Sequence, residues 1–280
     1  MPDAELPRAR WLHQRIEGAG AAALAALGAA VELWRVYVAT WAGIVRRVAR
    51  RRAHGRPRGE LARQLYSIGN RSLVFIAVTL GFIGMVMTYE ACLQLARVTG
   101  DFSQVGSQFL RLIISDFGPT LTGLMLATRV GAGIAAEIGS MKVTEQIDAL
   151  RMSGVLPIDY LIVPRFIASL VMTLVLAVFG AVVMYTAGGL TAKYSFGVNL
   201  GLYFDASQVR ARHVVLLVIK AIAFGAAIPV VAGFCGLRAR GSSEGVGWAT
   251  TAAVIGGSFA VIVLDFVISA AALFVTGGDL

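Results

Sequence analysis

Charge is scarce in this chain: 15% of its 280 residues are Asp, Glu, Lys or Arg, where a domain folding in water carries about 25%. Cysteine is scarcer still. Cys92 and Cys235 both fall in apolar stretches, where a small apolar residue is the ordinary explanation, and two such residues supply no disulfide framework. The histidines His13, His54 and His213 are scattered, so no zinc cluster can be drawn. The only lysines are Lys142, Lys193 and Lys220, and nowhere does the chain read G-x-x-x-x-G-K-[ST], the loop whose backbone amides cradle phosphates. ATP hydrolysis in the P-loop manner is thereby excluded. No catalytic residue, metal or cofactor is assigned, and the chain is not expected to be an enzyme; an ATP-driven process would take its engine from another chain.

What the sequence has in quantity is apolar residues, 57% of the total. A membrane-crossing helix needs about 20 mostly apolar residues, and five stretches qualify: 72–95, 112–136, 161–191, 214–237 and 249–275. Residues 166–189 are apolar on every face, unlike the short alternating segments of a β-barrel. The expected fold is an all-α membrane protein of five spans. Glycine pairs such as Gly188-Gly189 and Gly256-Gly257 mark close helix packing, because association in lipid depends on backbone approach.

Before the first of these stretches, residues 19–48 draw an apolar stripe through Leu24, Leu27, Val31, Trp34, Tyr37, Trp41, Ile44 and Val48, with Glu32 and Arg35 beside it. An amphipathic helix in the headgroup layer fits this pattern, and its length also permits a sixth span. Nine arginines then crowd residues 46–71, which places the N-terminus on the cytoplasmic side. The later loops do not decide orientation: Lys142, Arg151, Arg165, Arg238 and Arg240 on one side balance Arg97, Arg111, Lys193, Arg210 and Arg212 on the other. A basic segment beside a membrane meets anionic headgroups, and no nucleic-acid partner is expected. Residues 1–15 hold charges and prolines where a signal peptide would need an apolar core.

Glu90, Asp116, Arg129, Lys220 and Asp265 are charges in or at the margins of apolar stretches, where each costs at least ~2.5–3.5 kcal/mol at the bilayer centre. They must face protein or water. Pairing among themselves, a polar path for a lipid headgroup, and the carboxylates of an ion-coupled carrier are all consistent with them. Between the second and third stretches, Thr144, Glu145, Gln146 and Asp148 begin a short helix that Gly154 and Pro157 end, over about 144–152. A polar helix so placed can dock on a partner.

The run R-V-G-A-G-I-A-A-E-I-G-S-M-K-V-T-E-Q-I-D-A-L over 129–150 resembles the A-E-I/L-G-x-M-x-x-T-E-Q-I-D-A-L signature of MlaE-type ABC-transporter permeases. Further matches are Arg63 to Tyr66, Phe82 to Val86, Gly118-Pro119, Val163 to Phe166, Ile219-Lys220 and Glu244 to Thr251. The similarity runs from about residue 61 to the end, and the expected division is an N-terminal region 1–60 followed by a permease domain 61–280. The resemblance implies a multi-pass protein of the bacterial inner membrane that moves phospholipid between membranes. Its implied partners are a second copy of the permease, a cytoplasmic ABC ATPase and a periplasmic MCE-domain protein, with a small cytoplasmic STAS-type subunit as a further one. It implies a lipid site at the dimer interface including Met87, Gln94, Leu95, Asp116 and Phe117, with Lys220 and Asp265 at polar positions. It also implies an ATPase-coupling set of Glu137, Lys142, Thr144, Glu145, Gln146, Asp148 and Leu150. Two departures stand out: Ser115-Asp116 replaces the family's common Arg-Glu, and Glu90 stands where a glutamine-like residue is common.

Overall fold

A computed structural model describes residues 28, 31–45, 59–98, 100–102 and 104–276. Five helical runs are long and apolar enough to cross a membrane: Glu60–Val98, Val105–Val143, Ile158–Phe196, Ala211–Leu237 and Ser243–Val275. No strand occurs among the described residues, so the chain is an all-α membrane protein. Each expected stretch lies inside one of these spans, which are longer at most ends. A helix satisfies its own backbone and continues wherever side chains permit. The first span opens with a polar segment, Glu60–Ile68, where Glu60 pairs with Arg63 at 2.8 Å and accepts from Gln64 at 2.9 Å.

Alternation gives the bundle a proximal end, with loops 144–157 and 238–242, and a distal end, where the first span passes to the second and where loop 197–210 lies. The fourth span is the most enclosed, with 61% of its apolar window buried, whereas the fifth has 6% buried and turns Phe259, Ile262, Phe266 and Val267 outward. Glycine sets the spacing of the helices. A Cβ added at Gly84 would lie 2.2 Å from the Met184 carbonyl oxygen, and one at Gly180 would lie 2.5 Å from Leu80 Cδ1. The first and third spans therefore approach too closely for side chains at these points. Gly188 and Gly189 meet Thr88 and Tyr203, while Gly256 and Gly257 face Val231 and Ala127. All of these contacts lie within the one chain.

Residue 28 and residues 31–45 are helical; residues 19–27, 29–30 and 46–48 of the expected helix, and most of the arginine cluster, lie outside the described residues. The single stripe of the sequence divides here. Val36, Tyr37 and Ile44 pack on Phe166, Ala226 and Val230 of the third and fourth spans, and the Trp41 ring meets Phe166 edge-on at 5.6 Å. Val31, Trp34, Val38 and Val45 form an exposed apolar row on the other side. At the distal end the short helix Leu200–Tyr203, capped by the Asn199 side chain, wedges between the spans. Tyr203 is buried there, receives the Tyr185 hydroxyl on its carbonyl, and lies so close to Gly106 that only glycine fits. Burial pushes the Tyr203 phenol upward from its ordinary pKa.

The Gly84 geometry yields a paired test. Gly84→Ala drives a methyl into backbone and should destabilise by about 1–3 kcal/mol, while Gly133→Ala, where nothing lies within 4 Å, should be neutral or gain about 0.5–1 kcal/mol from helix propensity. Thermal unfolding of the purified protein measures both, and equal midpoints would contradict the packing described.

Candidate functional site

The second span does not run straight to its charged residue. Pro119 has no N–H to offer the Ser115 carbonyl, and just before it Ile113–Phe117 form a single π turn, closed by the Gly118 N–H on the Ile113 carbonyl. Such wide turns are frequent at functional sites. Asp116 sits within this one, and its Oδ1 accepts from Lys220 Nζ at 2.6 Å. The same ammonium reaches Asp265 Oδ1 on the fifth span at 2.8 Å, and Thr120 Oγ1 donates to that oxygen at 2.7 Å. Three spans thus meet at one polar knot. Asp116, Lys220 and Asp265 each lie roughly ten residues from the distal end of their helix, about 15 Å into the bundle at 1.5 Å per residue.

Burial within the knot is uneven. The Lys220 side chain is 0% exposed, Asp265 24% and Asp116 48%. The lysine therefore stands behind its carboxylates, and Asp116 is the member that faces outward. Phe117 is half-buried beside it. Met87 and Leu95 lie on the first span, half-buried against the core, and Gln94 is exposed there. Of the seven residues expected at a lipid site, then, the structure joins Asp116, Lys220 and Asp265 by direct contacts. Thr120 completes the set, and a threonine four residues after an intramembrane aspartate was the available signal. Arg129 donates to the Ser72 hydroxyl, and Glu90 is exposed on the first span.

At the proximal end, the second span closes with Thr144 bonding back to the Ser140 carbonyl at 2.8 Å, so this hydroxyl ends one helix instead of starting the next. Glu145 then takes a left-handed conformation, φ +60°, which is uncommon for any residue but glycine. The loop helix follows as Gln146–Met152 and stops at Gly154, φ +75°. Lys142 reaches across the turn to Asp148 at 2.9 Å, and Arg151 adds a contact at 3.2 Å. The hydrogen bond from Lys142, aided by both cations, holds the Asp148 carboxyl below its ordinary pKa. The tie is therefore complete above the ordinary aspartate value and is lost only as pH falls through the lowered one. Ile147 is fully buried and Leu150 packs on the core, while Thr144, Glu145 and Gln146 are exposed. Glu137 pairs at 2.7 Å with Arg165, whose side chain is 5% exposed, and Arg165 also donates to the Leu161 carbonyl at 3.1 Å. This pair, which the sequence reading did not join, bolts the second span to the third beside the loop helix.

Neutralising the knot should cost stability in a definite order. Lys220→Met leaves two carboxylates confronting each other and should be worst, of order 3–5 kcal/mol for a buried pair that loses a partner. Asp116→Asn should be mildest, since Asp265 still holds the ammonium. Thermal unfolding of these two variants and of Asp265→Asn, expected between them, gives the ranking; indistinguishable midpoints would remove the knot from the interactions that hold the bundle.

The family described as Permease MlaE matches residues 61–271. The intermembrane phospholipid transport system permease protein MlaE of Haemophilus influenzae is 33% identical over 213 residues, covering 75% of this chain and 81% of the relative. A probable ABC transporter permease protein of Rickettsia conorii is 33% identical over 211 residues, with the same two shares. The chloroplastic protein TRIGALACTOSYLDIACYLGLYCEROL 1 of Arabidopsis thaliana is 30% identical over 271 residues, covering 95% of this chain and 72% of its own, so its alignment reaches into the region before residue 61. With the family matched across all five spans and relatives at this identity over most of their length, the chain belongs to the MlaE permease family.

Proposed function

We propose that this chain is the membrane-spanning subunit of an ATP-driven transporter that moves phospholipid between two membranes. The observation that carries the reading is the family match over residues 61–271, which includes the entire loop helix and its preceding signature. The chain has no nucleotide-binding loop of its own, so a cytoplasmic ABC ATPase hydrolyses the ATP. The protein resides in the bacterial inner membrane with its arginine-rich N-terminal region, 1–60, in the cytoplasm, ahead of the permease domain, 61–280. Its proximal end is then cytoplasmic.

Two copies of the permease enclose the lipid, with Met87, Gln94, Leu95, Asp116 and Phe117 along its path and Lys220 and Asp265 supporting them. The nearly uncovered fifth span suits a face that a second copy would cover. A periplasmic MCE-domain protein takes the distal end, and a STAS-type subunit joins the ATPase. Coupling runs through the loop helix. It is fixed to the membrane part in two ways: Ile147 and Leu150 by packing, Asp148 by the Lys142 tie. Thr144, Glu145 and Gln146 offer the exposed polar surface, and Glu137 passes displacement to the third span through Arg165.

Two experiments test this. Reversing Glu145 and Asp148 to lysine should abolish ATPase co-purification or uncouple hydrolysis from transfer while the permease still inserts; normal values of both would refute the coupling role. Photo-crosslinkers at Met87 and Leu95, eight residues and about two turns apart on one helix face, should capture phospholipid. Capture no better than at Val171 and Val175, exposed on the third span, would refute the lipid path.

A further inference from the structure

Beside the knot lies a cavity of 240 Å³, lined by Arg111, Ser115 and Asp116 from the second span, His213 and Leu216 from the fourth, and Ser269 from the fifth. Two opposite charges address it. Asp116 spends one oxygen on Lys220, is half exposed, and its other oxygen accepts no hydrogen bond among the described residues. Arg111 stands five residues earlier on the same helical run, about 7 Å along the axis, and shares a face with Ser115 at four-residue spacing. The resemblance expects a cation at the position of Ser115, adjacent to the acid. Here the cation is one turn away, so plus and minus address the cavity as separate points.

The remaining groups narrow what can bind. Lys220 cannot be reached by a phosphate without displacing an aspartate, because its side chain is 0% exposed. His213 is buried; its Nδ1 accepts from the Arg210 N–H at 3.1 Å, so a neutral ring carries its proton on Nε2, 3.4 Å from the Arg212 guanidinium. Among the residues that line the cavity, Arg111 is the cation a phosphate can reach. Arg111 and Lys220 balance Asp116 and Asp265 within the lining and the knot, and Arg210 and Arg212 stand beyond His213. A headgroup of phosphate alone would set a second anion beside the half-exposed Asp116 carboxylate with no cation between them, which is costly. A headgroup carrying a phosphate and an ammonium two carbons apart answers both charges.

We propose that this cavity selects zwitterionic, amine-bearing phospholipids, with the phosphate on Arg111, the ammonium on Asp116, and the Ser115 and Ser269 hydroxyls completing the hydrogen bonds. The inference rests on the lipid-permease reading above and adds the class of headgroup. Arginine suits phosphate through its fixed fork of donors, and the half-exposed carboxylate offers the ammonium a charge-assisted partner.

The test reconstitutes the complex with its ATPase and measures ATP-dependent transfer of phosphatidylethanolamine and of its N-acetylated form, which keeps the phosphate and loses the ammonium. Wild-type protein should prefer the free amine by about tenfold, the ratio one charge-assisted contact supports. Asp116→Asn should erase the preference by slowing the amine-bearing lipid, and Arg111→Gln, which leaves the knot intact, should slow both lipids. Equal wild-type transfer of the two lipids overturns the proposal without recourse to any variant, and so does a preference that survives Asp116→Asn in a protein of normal thermal stability. Soluble phosphoethanolamine, added at the lipid's concentration, should leave the rates unchanged; inhibition would assign the cavity to a soluble zwitterion and overturn its assignment to lipid. A complex that moves neither lipid sinks the permease reading itself, whereas equal transfer of both sinks only headgroup selection.

Discussion

Hydrocarbon offers a polar group no hydrogen bond, and most of this structure is arranged around that fact. Backbone amides and carbonyls close on themselves within long helices, which is why the spans outrun their apolar windows at most ends. Side chains that cannot be satisfied along one helix must find partners on another. Lys220 does so completely, between Asp116 and Asp265. Several serine and threonine hydroxyls take the local solution instead, bonding the carbonyl one turn back, as Ser72 does with Ile68 and Thr186 with Val182, while Thr120 reaches across to Asp265.

The same solvent removes hydrophobic attraction as a reason for helices to associate, leaving van der Waals contact and polar ties. Both act in this bundle. The first and third spans meet where Gly84, Gly180 and Gly188 admit neighbouring atoms at distances no side chain tolerates. The second, fourth and fifth spans are tied by the charged knot. Proline adds a third device: a π turn precedes Pro119 and another precedes Pro164, so each lost hydrogen bond is absorbed by a locally widened helix. At Asp116 the wide turn also aims a carboxylate across the bundle.

The spans were legible because each is an apolar run long enough to stand out against a charge-poor background. Asp116, Lys220 and Asp265 could be recognised as misplaced charges, but not as one cluster, since they are 104 and 45 residues apart in sequence and only the packing of three helices joins them. Glu137 and Arg165 escaped for the same reason. The loop helix was read to its correct end, because Gly154 and Pro157 announce it. Its start was misread by two residues: Thr144 looks like a cap, yet its hydroxyl serves the preceding helix, and the left-handed turn falls on Glu145, a residue with no local preference for it. In the 31–45 helix, three- and four-residue steps suggested one apolar face. Packing uses Val36, Tyr37 and Ile44 and leaves a second row outside, a division that periodicity alone does not encode.

The knot has a mechanical consequence. Salt bridges of 2.6 and 2.8 Å do not survive a sliding step of even one residue, about 1.5 Å along a helix axis, so the second, fourth and fifth spans are pinned in register and must travel as one rigid block. The glycine seam between the first and third spans carries no such pins, and packed surfaces of this kind shear by small displacements. Any opening that keeps Lys220 compensated and Glu137 paired with Arg165 therefore carries the third span along with the three-helix block and puts its slip plane on the glycine seam of the first span, with the lysine as the axle pin of the larger part.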